Sequence, residues 1–138
     1  MKKLAKLVAV ILVVCSILSI FSACGDKNNQ TIDEKITAAY IAEHPNRDAN
    51  ELSISHYGEF NDAYVVVIIY GNTINDMYYS TTIDGINFYF EGGYSFSVYR
   101  KGKLCELAEA FDRGWLTRAD LIAVRDKHRE GRESLYNH

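Results

Sequence analysis

Met77-Tyr78-Tyr79-Ser80-Thr81-Thr82-Ile83-Asp84-Gly85-Ile86-Asn87-Phe88-Tyr89-Phe90 consists of two β-prone runs around a two-residue turn. Asp84-Gly85 tolerates positive φ at both central positions, which the tight hairpin turn matching strand twist requires, so the stretch is a β-hairpin. The turn pairs Ile83 with Ile86, Thr81 with Phe88 and Tyr79 with Phe90. Downstream, a bare Gly92-Gly93 turn would set phenylalanines against serines. A three-residue loop, Glu91-Gly92-Gly93, instead pairs Phe90 with Tyr94, Phe88 with Phe96 and Ile86 with Val98, so the pattern favours a third strand continuing the hairpin. The expected core face is Met77, Tyr79, Ile83, Ile86, Phe88, Phe90, Tyr94, Phe96 and Val98. The opposite face carries Tyr78, Ser80, Thr82, Asn87, Tyr89, Ser95, Ser97 and Tyr99.

Upstream, Ala63 to Tyr70 contains Val65, Val66, Val67, Ile68 and Ile69 in unbroken order. Both faces of such a strand are apolar, which places it inside a sheet covered on both sides. Glu51 to Tyr57 alternates, with Leu52 and Ile54 opposite Ser53 and Ser55, and reads as a strand followed by a loop over 58–62. Thr31 and Glu34 form a capping-box pattern, and Ile32, Ile36, Ala39 and Tyr40 make one helical stripe that Pro45 ends. Loops at 71–76 complete this half.

Downstream, Leu104, Leu107, Ala108 and Phe111 keep helical spacing up to Gly114, a natural stop. Thr117 and Asp120 then cap a second helix, with Leu116 and Leu121 at the staple positions. The expected fold is α+β: an N-terminal helix, an antiparallel meander of about five strands, and a closing helical hairpin over 104–130 against one face. Residues 32–138 form a single domain of this kind.

The start of the chain has a different logic. Lys2, Lys3 and Lys6 precede an apolar run of 15 residues, Leu7 to Phe21, then small Ser22 and Ala23. That is the order of a secretory signal, and the run is short of the roughly 18 to 20 residues a membrane-spanning helix needs. Phe21-Ser22-Ala23-Cys24 resembles the bacterial lipobox, with Phe21 where leucine is usual. The resemblance to small Gram-positive-type lipoproteins implies cleavage between Ala23 and Cys24 and a diacylglyceryl group on the Cys24 thiol. Two acyl chains, at about 0.8 kcal/mol per buried methylene, hold a protein stably on a bilayer. The expected location is therefore the outer, extracytoplasmic face of the cell membrane. The tether Gly25 to Gln30 reaches only about 20 Å when extended, so the domain sits close to that membrane.

Removing residues 1–23 leaves 115 residues with 12 basic and 18 acidic side chains, a net charge of −6. Residues 24–98 hold three basic and eleven acidic groups, and residues 99–138 hold nine and seven. A clustered basic excess is missing, which argues against nucleic acid as a partner. With Cys15 in the leader and Cys24 lipidated, Cys105 is left without a disulfide partner and reads as a small buried hydrophobe.

Leu107-Ala108-Glu109-Ala110-Phe111, then Gly114-Trp115-Leu116-Thr117 and Asp120-Leu121, resemble the closing helical hairpin of many small secreted Gram-positive proteins. More loosely, they resemble the SHOCT module, with Asp120-Leu121 in place of Glu-Phe. That resemblance implies a folding motif with a role in oligomerisation. Arg118, Arg125, Arg129 and Arg132 lie near one stripe of the last helix, where Asp126, Glu130 and Glu133 offset them, so the stripe is a solvated face or a rest for anionic lipid or teichoic acid.

No Walker or Rossmann glycine pattern, His-Glu-x-x-His, paired-cysteine zinc spacing or Gly-x-Ser-x-Gly occurs. The calcium loop pattern is missing as well, and neither a catalytic residue nor a metal or other cofactor is expected beyond the lipid on Cys24. His44, His56 and His128 stand apart from any nucleophile in sequence, although folding could bring His56 to Glu59, Asp62 or His128. The Tyr, Ser, Thr and Asn face combines broad contact with adaptable hydrogen bonding and suits a cell-wall glycan or a protein partner. The same composition also suits a plain solvated or helix-covered sheet face. Three functions follow: a non-catalytic binding module, a small envelope hydrolase or hydrolase inhibitor, and self-association through the terminal hairpin. A hydrolase requires His56 or His128 beside a carboxylate in a concave pocket, and a binder requires an exposed aromatic face.

Overall fold

The computed structural model describes residues 29–71, 78–92 and 94–136; the side chains of Tyr78, Glu91 and residues 133–136 lie outside that description. The expected signal peptide, the Ala23-Cys24 cleavage site, the tether up to Asn28, Met77 and the 72–76 loop all fall outside it. The chain divides after Ile32 into two units, the second running from Asp33 onward.

The second unit is α+β and antiparallel. Helix α1 spans Ile32–Glu43 and stops before Pro45 as the sequence predicts. Strands β1 (Leu52–Phe60), β2 (Ala63–Tyr70), β5 (Phe96–Arg100) and β6 (Lys103–Glu106) form one sheet in the order β1-β2-β5-β6. Strands β3 (Tyr78–Ile83) and β4 (Ile86–Glu91) form a separate two-stranded ribbon. Helices α2 (Leu107–Asp112) and α3 (Arg118–Tyr136) close the chain.

The β3–β4 register is the one the sequence dictates, with Ile83 opposite Ile86, Thr81 opposite Phe88 and Tyr79 opposite Phe90. Asp84 and Gly85 take φ of 50° and 75°, as that turn demands. The expected continuation from β4 into β5 does not form. Val65 to Val67 of β2 are fully or almost fully buried and need a hydrogen-bonded neighbour on each side. Strand β1 supplies one, and β5 supplies the other through Val65↔Val98 and Val67↔Phe96. The ribbon folds over onto the sheet, so the phenylalanines expected to pair along a ladder meet between layers: Phe88 and Phe96 lie edge to face at 6.0 Å, Phe90 and Phe96 at 4.9 Å.

A second correction concerns the closing hairpin. Residues 103–106 are strand β6, and the first helical arm begins only at Leu107. Lys101 and Gly102, with φ of 48° and 84°, make a tight turn that returns the chain alongside β5, pairing Val98 with Cys105 and Tyr99 with Leu104. Leu104 and Leu107 share helical spacing by coincidence of a strand end and a helix start. Strand β1 also runs three residues further than expected, through a bulge at Tyr57, to a tight turn at Asn61-Asp62.

One core holds the ribbon, one face of the sheet and both closing helices: Val65, Val67, Ile83, Ile86, Phe88, Phe90, Phe96 and Val98 with Leu107, Ala110, Leu116, Leu121 and Val124. Thr117 and Asp120 form the predicted capping box, Asp120 N donating to Thr117 Oγ1 at 3.2 Å and Thr117 N to Asp120 Oδ2 at 2.8 Å. Helix α1 attends the other sheet face, where Ile36 is fully buried and Asp33 Oδ1 meets His56 Nε2 at 2.5 Å.

Candidate functional site

The eight residues of the expected binding face separate in the folded chain. Ser80, Thr82, Asn87 and Tyr89 are exposed together on the outer face of the ribbon, with Tyr78 at its end in the same register. The Thr82 hydroxyl donates to Asn87 Oδ1 at 2.7 Å across the pair. The Arg132 guanidinium of α3 lies 4.7 Å from the Tyr89 ring centroid, within range of a cation–π contact. Ser97 and Tyr99 belong to the other sheet, on the face attended by α1. Ser97 is half-buried and Tyr99 only 8 % exposed, beside Tyr64 at 6.4 Å. Ser95 is exposed in the crossing from ribbon to sheet.

That crossing opens a seam which the expected β4–β5 ladder would have closed. An inner cavity of about 70 Å³ lies between ribbon, β5 and the start of α2, lined by Tyr79, Thr81, Ile83, Phe90, Ser95, Phe96, Glu106, Leu107 and Ala108. An open hollow of about 290 Å³ shares Tyr79, Ser95 and Glu106 with it and adds Tyr94. Tyr79, expected in the core, is 52 % exposed, and its ring stacks on Phe90 at 6.0 Å and 27°. Glu106 ends β6 and occupies the N-cap position of α2 in extended geometry, yet its side chain makes no capping hydrogen bond.

A second pair of hollows, about 310 and 340 Å³, lies between α1 and the β6–α2 region, with Glu43, Leu104, Cys105 and Glu109 common to both. Arg113 borders one of them and is bound to Glu109 at 2.6 Å. Its guanidinium and that of Arg100 approach the Trp115 ring at 5.4 and 5.7 Å. Burial, and secondarily the Glu109 charge, pushes the Cys105 thiol up from 9.0 to about 11. The thiolate is therefore scarce at neutral pH, against a nucleophilic role.

Of the scattered histidines, His56 meets a carboxylate, but from α1 rather than from Glu59 or Asp62. Both partners are substantially exposed, and neither lines any of the four hollows described. His128 packs among Tyr57, Phe90 and Phe96 at centroid distances of 5.6, 5.6 and 5.3 Å. Burial and the neighbouring Tyr94 raise the Tyr57 phenol above its ordinary 10.0, and a hydrogen bond to Glu59 does the same for Tyr64. Among the described residues no group of three or more His, Cys, Asp or Glu is placed to hold a metal ion, and no helix is long and apolar enough to cross a membrane.

Fold and surface together define a small α+β domain with an aromatic ribbon laid on a four-stranded sheet. Comparison with protein-family models, with curated proteins and with solved structures gave no match.

Sequence patterning puts Tyr94 on the same face as Tyr79 but misses Glu106 as their neighbour. The usable signal was the need of buried β2 for a second partner, together with Lys101-Gly102 as a turn.

Proposed function

We propose that this chain is a non-catalytic binding module, tethered by a diacylglyceryl group on Cys24 to the outer face of the cell membrane, and that the β3–β4 ribbon presents its ligand surface. One observation carries the binding assignment. Tyr79 and Tyr89, at 52 % and 39 % exposure, are the large hydrophobic side chains left exposed among the described residues, and both belong to the ribbon. Exposed tyrosine beside Ser80, Thr82, Asn87 and Ser95 offers apolar area at low entropy cost with hydrogen-bonding groups around it, which suits a cell-wall glycan or an extended peptide. The anchor rests on the lipobox resemblance, and the short tether would hold the ribbon within reach of the wall. A small envelope hydrolase or hydrolase inhibitor is the second reading, for which the His56–Asp33 contact supplies a histidine beside a carboxylate but outside the hollows described.

Residues 26–138, incubated with isolated cell-wall sacculi, should sediment with them, and a folded Thr82→Ala, Asn87→Ala, Tyr89→Ala variant should stay in solution. Equal sedimentation of both would remove the ribbon's outer face as the site. For the anchor, Cys24→Ala in the full chain should abolish lipid labelling and release the protein from membranes. Retention of label would sink it.

A further inference from the structure

We propose that the seam between ribbon and sheet binds the ammonium group of a small alkylamine-bearing ligand, with Glu106 as its charge partner and Tyr79 and Tyr94 as aromatic walls. The assignment deepens the binding-module reading and rests on it. Four groups line the outer hollow of about 290 Å³: Tyr79, Tyr94, Ser95 and Glu106. One is anionic, two are aromatic and none is cationic, so both Coulomb attraction and the ring quadrupoles favour a cation.

Glu106 is free to serve. It stands at the N-cap of α2 without making the capping bond, and among the described residues it forms no ion pair. Glu109, three residues on, is occupied by Arg113 at 2.6 Å. Tyr79 is held in place before any ligand arrives, because its ring stacks on the buried Phe90 at 6.0 Å. Such prior ordering lowers the entropic cost of binding. The inner cavity sets the shape of the ligand. Its walls include Ile83, Phe90, Phe96 and Leu107, and its 70 Å³ admits a short alkyl group, with Glu106 bordering both spaces. An alkyl stem pointing inward would thus leave its ammonium at the carboxylate. Of the α1-side hollows, the one that Arg113 borders already has a cation answering Glu109; the other also meets Glu106, together with Glu43 and Glu109, but has neither Tyr79 nor Tyr94 in its wall and does not open on the apolar inner cavity.

The test uses the full-length chain in detergent micelles, titrated calorimetrically with n-butylammonium chloride against a protein-free micelle blank. The neutral 1-butanol and sodium chloride at equal ionic strength serve as controls. Saturable binding of the amine is expected, weakened about tenfold or more by Glu106→Gln and by Tyr79→Ala, with neither control binding. Glu106 is exposed, so the glutamine variant should melt as the parent does. No amine binding, undiminished binding by Glu106→Gln, or equal binding of 1-butanol would each overturn the assignment. If the amine fails while residues 26–138 still sediment with sacculi through the ribbon, only the ligand class is wrong. If both fail, the binding-module reading falls with it.

Discussion

Phe90 of β4 and Phe96 of β5 meet edge to face, centroids 4.9 Å apart at 73°, across the space between two sheets. Phe96 also touches Phe88, Tyr57 and His128, so ribbon, sheet and α3 converge on one ring. Truncating it should leave a cavity at the junction of all three. Phe96→Ala is expected to cost about 3–5 kcal/mol in urea unfolding. A loss under about 1 kcal/mol would mean the layers do not depend on this contact.

Gly58 sits beside the Tyr57 bulge with φ of 154°, and a Cβ there would come within 2.4–2.5 Å of the Phe60 ring. The ring can swing away, but the backbone conformation remains unfavourable for an L side chain. Gly58→Ala should therefore lower stability by about 1–3 kcal/mol, read as a fall in melting temperature. An unchanged melting curve would show that the bulge relaxes freely.

The reciprocal bonds between Thr117 and Asp120 start α3, which carries Leu121 and Val124 into the core. Asp120→Ala should cost about 1 kcal/mol, and adding Thr117→Ala should cost less than a second independent loss, because both remove the same motif. Strict additivity in a double-mutant cycle would contradict a coupled cap.

Burial raises the Cys105 thiol from 9.0 to about 11 in the folded chain. The unfolded chain loses that proton first, so this contribution to stability is complete below about pH 9 and is lost as pH rises toward 11. Cys105→Ala should flatten the fall in stability across that window. In native residues 26–138, where Cys105 is the single cysteine, reaction with a thiol reagent at pH 8 should be slow and should quicken in denaturant. Fast native labelling would contradict the burial.

Local chemistry was legible in the sequence wherever it acts within a few residues. The Asp84-Gly85 turn fixed the ribbon register, Thr117 and Asp120 fixed the start of α3, and the apolar run at 65–69 placed β2 inside a covered sheet. Strand partnership was not legible, because alternation tells which side chains share a core and not whether they share a ladder. Phe88 and Phe96 face each other either way. The same ambiguity concealed the seam: in a continuous meander Tyr79, Phe90 and Tyr94 would share one covered face, whereas stacked layers leave Tyr79 exposed beside Ser95 and Glu106. Tyr99 lies apart from Tyr89 for the reciprocal reason: β5 belongs to the main sheet rather than to the ribbon, and Tyr99 is buried there.

The most direct measurement on the ribbon as a ligand surface is a backbone amide NMR titration of residues 26–138 with soluble wall glycan fragments. Shifts should concentrate on Ser80, Thr82, Asn87 and Tyr89 and on the seam residues Tyr79, Tyr94 and Ser95, leaving Asp33 and His56 unmoved. Shifts centred on Asp33 and His56 with a still ribbon would contradict the assignment and bring the hydrolase reading forward.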